Sequence, residues 1–272
     1  MSGIIQINYP DPGFWTATSM IQLGYGVWVN LSMVTIGLAY GFSAVALPQL
    51  SLPESLVKVT IADESWIGEC AFNFIVRWDG NPTQLERLSG LTTRASVISL
   101  ASPVGCVLCG YLIDKFGRRT MIIYSQLPVC VGWLYTGIAS SAKHIILGRI
   151  ITGVGLGMVM CVPRVYMTEV SLPNMRGVIG SFPNIAMSLG LTMQAALGSM
   201  LRWPTLCYVG SAYTISLFLM NFCLPETPYY LLQKTSIEDA QVSLKKFRSK
   251  KYNIEAEMEE LIDFKNENDI HK

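Results

Sequence analysis

Six runs of apolar residues dominate the chain, at about Tyr25–Leu50, Ala95–Ile113, Met121–Ala139, Ile145–Met167, Val178–Leu201 and Leu206–Leu224. Each is close to the roughly 20 residues that an α-helix needs to cross a bilayer. Hydrocarbon offers backbone N–H and C=O groups no partner, so such runs must close their hydrogen bonds internally, as helices. The chain therefore reads as an all-α membrane protein: a segment 1–24, a six-span bundle over 25–224 and a further segment 225–272. Only 14% of residues are charged and 51% are hydrophobic, against roughly 25% charged in soluble domains. The first run is too long and too far from Met1 for a cleaved signal, and it reads as retained.

Six spans put both termini on one side. The short loops on that side carry Lys115, Arg118, Arg119 and Arg176, against Lys143 and Arg202 on the other. The bias of Lys and Arg toward the cytoplasm makes both termini cytoplasmic and puts the segment 51–94 outside. A net charge of +1, with its bases scattered through loops, argues against a nucleic-acid partner. The lipid bilayer is the implied surroundings. All of the seven cysteines except Cys70 fall in apolar runs, where a small thiol packs. Cys106-x-x-Cys109 has no His beside it in an uncharged helix, so no metal or cofactor is expected. With only His144 and His271, and no nucleophile arrangement, the chain does not read as an enzyme.

Ionisable groups are costly inside a membrane and mark function there. Five of the six runs hold none in their interiors; the fourth holds Arg149 near its outer end, and Arg164 and Glu169 near its inner end. Charge is thus placed at the ends of spans and not at the midplane. Asp114, Arg118 and Arg119 follow the second span, Glu169 and Arg176 the fourth, and Glu226 the sixth. Pairs among them can hold a closed cytoplasmic gate and exchange when helices rock. The expected pairing sets Arg118 and Arg119 against Glu169 and Glu226, and Asp114 against a base such as Arg176. In the same loop Gly117 suits a turn of positive φ, and Gly110 suits a close helix approach. Gly148, Gly153 and Gly157 lie within a span, where small residues four apart make a helix contact rather than a phosphate loop. Pro48, Pro103, Pro128, Pro163 and Pro183 mark places where spans can bend.

Neutral hydrogen-bonding side chains and aromatic faces inside the membrane are what a polyhydroxylated solute would use. The candidates are Asn184 and Gln194 in the fifth span, Gln49 and Tyr40 in the first, Gln126 in the third and Trp133 nearby. Each has the alternative use of tying one helix to another. Beyond Pro225 the composition turns charged, with Ala240, Leu244 and Phe247, then Met258, Leu261 and Ile262, at helical spacing. Short amphipathic cytoplasmic helices follow, either solvated or packed beneath the bundle.

Together these motifs resemble the sugar porter family of the major facilitator superfamily, and within it the insect facilitated carriers of trehalose and hexoses. Gly110–Arg119 is similar to the family's loop between spans two and three. Gly148-Arg149, Pro163-Arg-Val-Tyr166-Met-Thr-Glu169, Pro173 and Arg176-Gly177 resemble its fourth-span signature. Pro225-Glu226-Thr-Pro228 with Leu231-Leu232 resembles the motif that ends span six. The resemblance implies the six-transmembrane-helix half of a major facilitator fold, with alternating access around a midplane site for a small-molecule sugar, and the plasma membrane as location. It aligns Asn184, seven residues after Gly177, with a sugar-binding glutamine of relatives. Gly41 stands where proton-coupled members carry an aspartate, which implies facilitated movement.

The chain departs from the family pattern in two places. Relatives run from an Asp-Glu-x-Ser-Trp-Ile-like stretch straight into the second span, whereas 68–94 intervenes here, as an extracellular extension or a product of unusual splicing or gene modelling. The chain also stops where relatives continue with six more spans. A partial carrier needing a C-terminal half is one expectation; a truncated, non-transporting isoform that binds and regulates a full-length carrier is the other.

Overall fold

The computed structural model describes residues 16–50, 97–249 and 252–270. The loop 51–94 with its insert 68–94, Cys70 and most of the N-terminal segment lie outside the described residues. The described elements are α1 (Ala17–Leu50), α2 (Val97–Phe116), α3 (Arg118–Tyr124), α4 (Gln126–Gly137), α5 (Ala142–Val170), a 3₁₀ turn at Pro173–Met175, α6 (Arg176–Gly198), α7 (Trp203–Asn221), α8 (Pro228–Lys234), α9 (Ile237–Phe247) and α10 (Ile254–Ile270). Three of them, α1, α2 and α5, are long and apolar enough by themselves to cross a membrane.

The third apolar run is two helices rather than one continuous span. Pro128 has no N–H for the carbonyl of Tyr124, and its ring crowds that turn. Ser125, which lies between the two helices, turns its hydroxyl back onto the Ile122 carbonyl at 3.0 Å. The other named prolines lie inside unbroken helices; Pro48, Pro103, Pro163 and Pro183 are internal to α1, α2, α5 and α6.

Backbone proximity assembles the bundle. A side chain at Gly37 of α1 would come within 2.0 Å of the Met187 carbonyl on α6, and one at Gly190 within 2.2 Å of the Val34 carbonyl. Only hydrogen at both positions permits that crossing. Gly105 and Gly157 do the same for α2 and α5, Gly153 closes against Ile98 and Ala101, and Gly148 meets Thr136 of α4. The expected contact at Gly110 is absent: among the described residues nothing lies within 4 Å of a side chain placed there. Gly110 is exposed, whereas the neighbouring Cys109 is buried and its thiol reaches the Met158 carbonyl of α5 at 3.8 Å.

α2 and α5 run parallel and in register. The Ser102 hydroxyl reaches the Gly153 carbonyl, the Cys106 thiol reaches the Gly157 carbonyl, and Arg118 reaches Glu169, each pair 51 residues apart. The same lateral ladder that packs the helices thus delivers a buried base to a carboxylate at its end.

The charged C-terminal segment packs beneath the bundle. Thr227 and Ser236 cap α8 and α9 by accepting from the N–H groups of Tyr230 and Asp239. Acids Glu238 and Asp239 sit in the first turn of α9, and Lys245 and Lys246 in its last, matching the helix dipole. Ala240, Leu244 and Phe247 are buried, and the Phe247 ring lies 4.8 Å from that of Tyr25 and 6.2 Å from that of Tyr166.

Candidate functional site at the charged end of the bundle

Gly117 makes the turn between α2 and α3 with φ of 92°, among the described residues the only positive φ. A side chain at this position would also stand 2.6 Å from the Glu226 carboxylate and 2.9 Å from the Tyr230 ring. Conformation and crowding both demand glycine. The turn aims the first N–H groups of α3 at Glu226, and the Arg119 backbone N–H donates to its Oε1 at 2.9 Å. An early N–H of a helix has no partner within the helix, and a carboxylate answers both it and the dipole.

Arg118 is turned inward and its side chain is only 7% exposed. Its Nε and Nη2 both reach Glu169 Oε1 at 2.8 Å, and its Nη1 donates to the Ile113 carbonyl at 3.4 Å. The second oxygen of Glu169 accepts from the Thr227 hydroxyl at 2.7 Å. Rings of Tyr229 and Tyr230 lie 5.9 and 5.6 Å from the guanidinium centre. The Tyr166 hydroxyl donates to the Pro225 carbonyl at 2.7 Å, and Ser243 donates to the Glu226 carbonyl. The ends of α2, α5, α7 and α9 are thereby joined through one polar cluster.

Two expected pairings differ. Asp114 pairs with Arg118, 3.4 Å away on the next helical turn, and its carboxylate is 76% exposed. Arg176 instead lines a cavity farther along α5 and α6. Asp114 and Arg118 share one face of α2 and its continuation, whereas Arg176 begins a different helix beyond the 3₁₀ turn. Arg119 meets Glu226 through its backbone; its Nη2 donates to the Phe222 carbonyl at 2.6 Å, capping the C-terminal end of α7.

The membrane-embedded candidates do not converge on one point. Gln194 is buried with its Nε2 unpartnered, and its side chain fills the space where a residue larger than glycine at position 41 would project, 2.8 Å away. Gln126 is fully buried with both amide atoms unpartnered. Asn184 lines the same cavity as Arg176. Tyr40 packs on the core around Phe42. Gln49 is a tie: its Nε2 donates to the Leu201 carbonyl at 3.2 Å and its Oε1 accepts from the Trp203 N–H at 2.7 Å, holding the α6–α7 loop. Trp133 stands edge-on to Phe42, with ring centres 5.4 Å apart.

Arg149 is no end-of-helix anchor. It is buried, lies 4.6 Å from the Phe42 ring centre, donates to the Ala39 carbonyl at 3.1 Å and also donates to the Ser43 hydroxyl. It thus flanks Gly41 on α1. Sequence reasoning also passed over Thr227 and Arg248. Arg248 is buried, forks onto Glu257 at 2.9 and 2.5 Å and donates to the Val170 carbonyl at 3.0 Å. An Arg nine residues before an acid across a helix break has no periodic signature that would have singled it out.

The architecture is that of one bundle of a major facilitator carrier. It superimposes on the xylose transporter XylE from E. coli in a partially occluded inward-open conformation, with a TM-score of 0.69 at 15% identity, over 89% of this chain and 57% of that one. A human organic anion transporter, MFSD10, shares the fold with a TM-score of 0.56 at 20% identity, over 85% of this chain and 54% of that one. The chain belongs to the sugar (and other) transporter family, whose model matches residues 59–271. It is 32% identical to the facilitated trehalose transporter Tret1 of Bombyx mori over 66% of this chain and 35% of that protein. It is 31% identical to Tret1 of Apis mellifera ligustica over 61% of this chain and 33% of that protein. The chain spans about a third of the length of these relatives.

Proposed function

We propose that this chain forms the N-terminal half of a facilitative sugar carrier in the plasma membrane, with both termini cytoplasmic, and that it moves trehalose or a hexose down its gradient when paired with a second six-span half. The observation that carries this reading is the buried Arg118–Glu169–Thr227 cluster set beside the Gly117 turn. It fastens the ends of four helices with bonds that can break together as the helices rock. The transported sugar would meet neutral amides: Gln194, Gln126 and Asn184 offer donors and acceptors without charge. Gly41 and the side chain of Gln194 occupy each other's space, which leaves no room for a titratable carboxylate at position 41 and favours movement uncoupled from protons.

The test is uptake of labelled trehalose and glucose into liposomes containing the chain and a C-terminal half from one of the matched insect carriers. Saturable uptake that needs both halves supports the reading. Binding to a full-length carrier with altered flux of that carrier, and no uptake by the paired halves, would instead favour a regulatory partner.

A further inference from the structure

Where α9 gives way to α10, Lys245, Lys246, Arg248, Lys250 and Lys251 fall within residues 245–251, and no acid lies between Asp239 and Glu255. A serine set among bases complements an acidic protein cleft. Two serines border this run, Ser243 and Ser249, and the order of residues does not choose between them.

The fold does. Ser243 is 5% exposed, and its hydroxyl donates to the Glu226 carbonyl beside the gate cluster. Ser249 comes just after α9, next to Arg248, whose backbone is extended with φ of −122° and ψ of 151°. Successive side chains on extended backbone leave on opposite sides. Arg248 takes the inward side, where it forks onto Glu257 and donates to the Val170 carbonyl at 3.0 Å. Ser249 is turned the other way and is half-buried. Its backbone is held: the N–H donates to the Thr18 hydroxyl at 3.2 Å, and the carbonyl accepts from the Tyr252 N–H at 2.9 Å. Its own hydroxyl makes no hydrogen bond among the described residues, and Lys245 and Lys246 nearby are exposed.

We propose that Ser249 is a phosphorylation site for a kinase that selects serines flanked by bases, and that the phosphate loosens α10 from the bundle. Arg248 is spent on Glu257, so Lys245, Lys246, Lys250 and Lys251 are the charges such a kinase reads. Ser249 Oγ attacks the γ-phosphorus of magnesium-bound ATP. The Oγ–P bond forms as the bond from that phosphorus to the β–γ bridging oxygen breaks, ADP leaves, and the hydroxyl proton passes to a carboxylate of the kinase. The product sets a dianion just past the C-terminal end of α9 and ahead of Glu255 and Glu257 in the first turn of α10. Negative charge is unfavourable in both settings, and phosphate also competes with Glu257 for Arg248. The hold of Arg248 on α10 and on the end of α5 weakens. The proposal rests on the reading above only in that this end of the chain must meet cytoplasmic ATP.

The full chain in nanodiscs, which expose both faces, is incubated with the catalytic domain of protein kinase C and labelled ATP, and the modified residue is mapped by mass spectrometry. A free peptide of residues 239–255 is treated in parallel. The peptide should be labelled at both serines, and the chain at Ser249 at least about tenfold faster than at Ser243, whose hydroxyl must first leave its buried bond. Ser249→Ala should remove the label, and the phosphorylated chain should exchange the amides of α10 about tenfold faster. A chain that stays unlabelled, a peptide that stays unlabelled, label on the chain at Ser243 as fast as at Ser249, or unchanged exchange in α10 would overturn the proposal. A failed uptake experiment with the paired halves leaves it standing.

Discussion

The end of the bundle that carries Gly117 and the membrane interior differ in how far their polar side chains are partnered, although Arg119 Nε at the charged end also lacks a partner among the described residues. At the charged end, both oxygens of Glu169 are engaged, Arg118 reaches two carboxylates and a carbonyl, and Glu226 receives two backbone N–H groups. In the membrane interior, Gln126 has neither amide atom partnered and Gln194 has its Nε2 free of one, although both are buried. Burying an amide atom without a partner costs free energy, so groups left in that state await water or a ligand. On the proposed reading, the first region holds itself closed and the second receives the ligand.

That contrast is broken most severely by removing one member of the buried pair. Glu169→Gln or Arg118→Gln should lower the stability of the purified chain by about 3–5 kcal/mol, because an uncompensated charge remains buried. Asp114→Asn, at a largely exposed partner of the same arginine, should cost less than about 1 kcal/mol. Thermal unfolding in detergent monitored by circular dichroism reads both, and the double variant Arg118→Gln with Glu169→Gln should cost clearly less than the sum of the singles. Equal effects of the Asp114 and Glu169 changes would dissolve the distinction between a buried lock and a surface pair.

The glycines sharpen the comparison next. Gly117→Ala should destabilise by about 1–3 kcal/mol from backbone strain, before any collision with Glu226 is added. Gly110→Ala, in open space within a helix, should be neutral or stabilise by up to about 1 kcal/mol. A smaller pair of effects separates the amides. Gln49→Leu removes two bonds to loop backbone and should cost about 1–3 kcal/mol, whereas Gln194→Leu should leave the unfolding midpoint near that of the wild type and reduce sugar uptake by the paired halves.

Much of this arrangement was legible in the order of residues, and the failures have physical causes. The apolar runs located the helices because hydrocarbon leaves the backbone no alternative. They missed the break at Ser125, where a proline three residues on and a hydroxyl turned to the backbone act within an unbroken hydrophobic run. Of the charges expected at the gate, Asp114, Arg118, Arg119, Glu169 and Glu226 lie together, since bases and acids cluster in the short segments after α2, α5 and α7, while Arg176 lines a separate cavity. Their pairing was less legible. Asp114 and Arg118 are helical neighbours, four residues apart across the turn, and proximity along the chain outweighs the longer reach to Arg176. Glycine alone does not announce its use: Gly110 sits in a motif and touches nothing, while Gly37 and Gly190 mark the tightest crossing. Whether an amide is a tie or a ligand group depends on which carbonyl lies within 3 Å, as Gln49 demonstrates, and that is decided only by the packed bundle.

The most direct measurement is the initial rate of sugar exchange across liposomes holding the paired halves, taken for the wild type and for Glu169→Gln, with a proton gradient present and dissipated. The expected result is a wild-type rate that is the same under both conditions and a Glu169→Gln rate that is substantially changed under both. A wild-type rate that collapses with the gradient would contradict a facilitative pathway lined by neutral amides, and an unchanged rate in Glu169→Gln would contradict a gate built on Arg118 and Glu169.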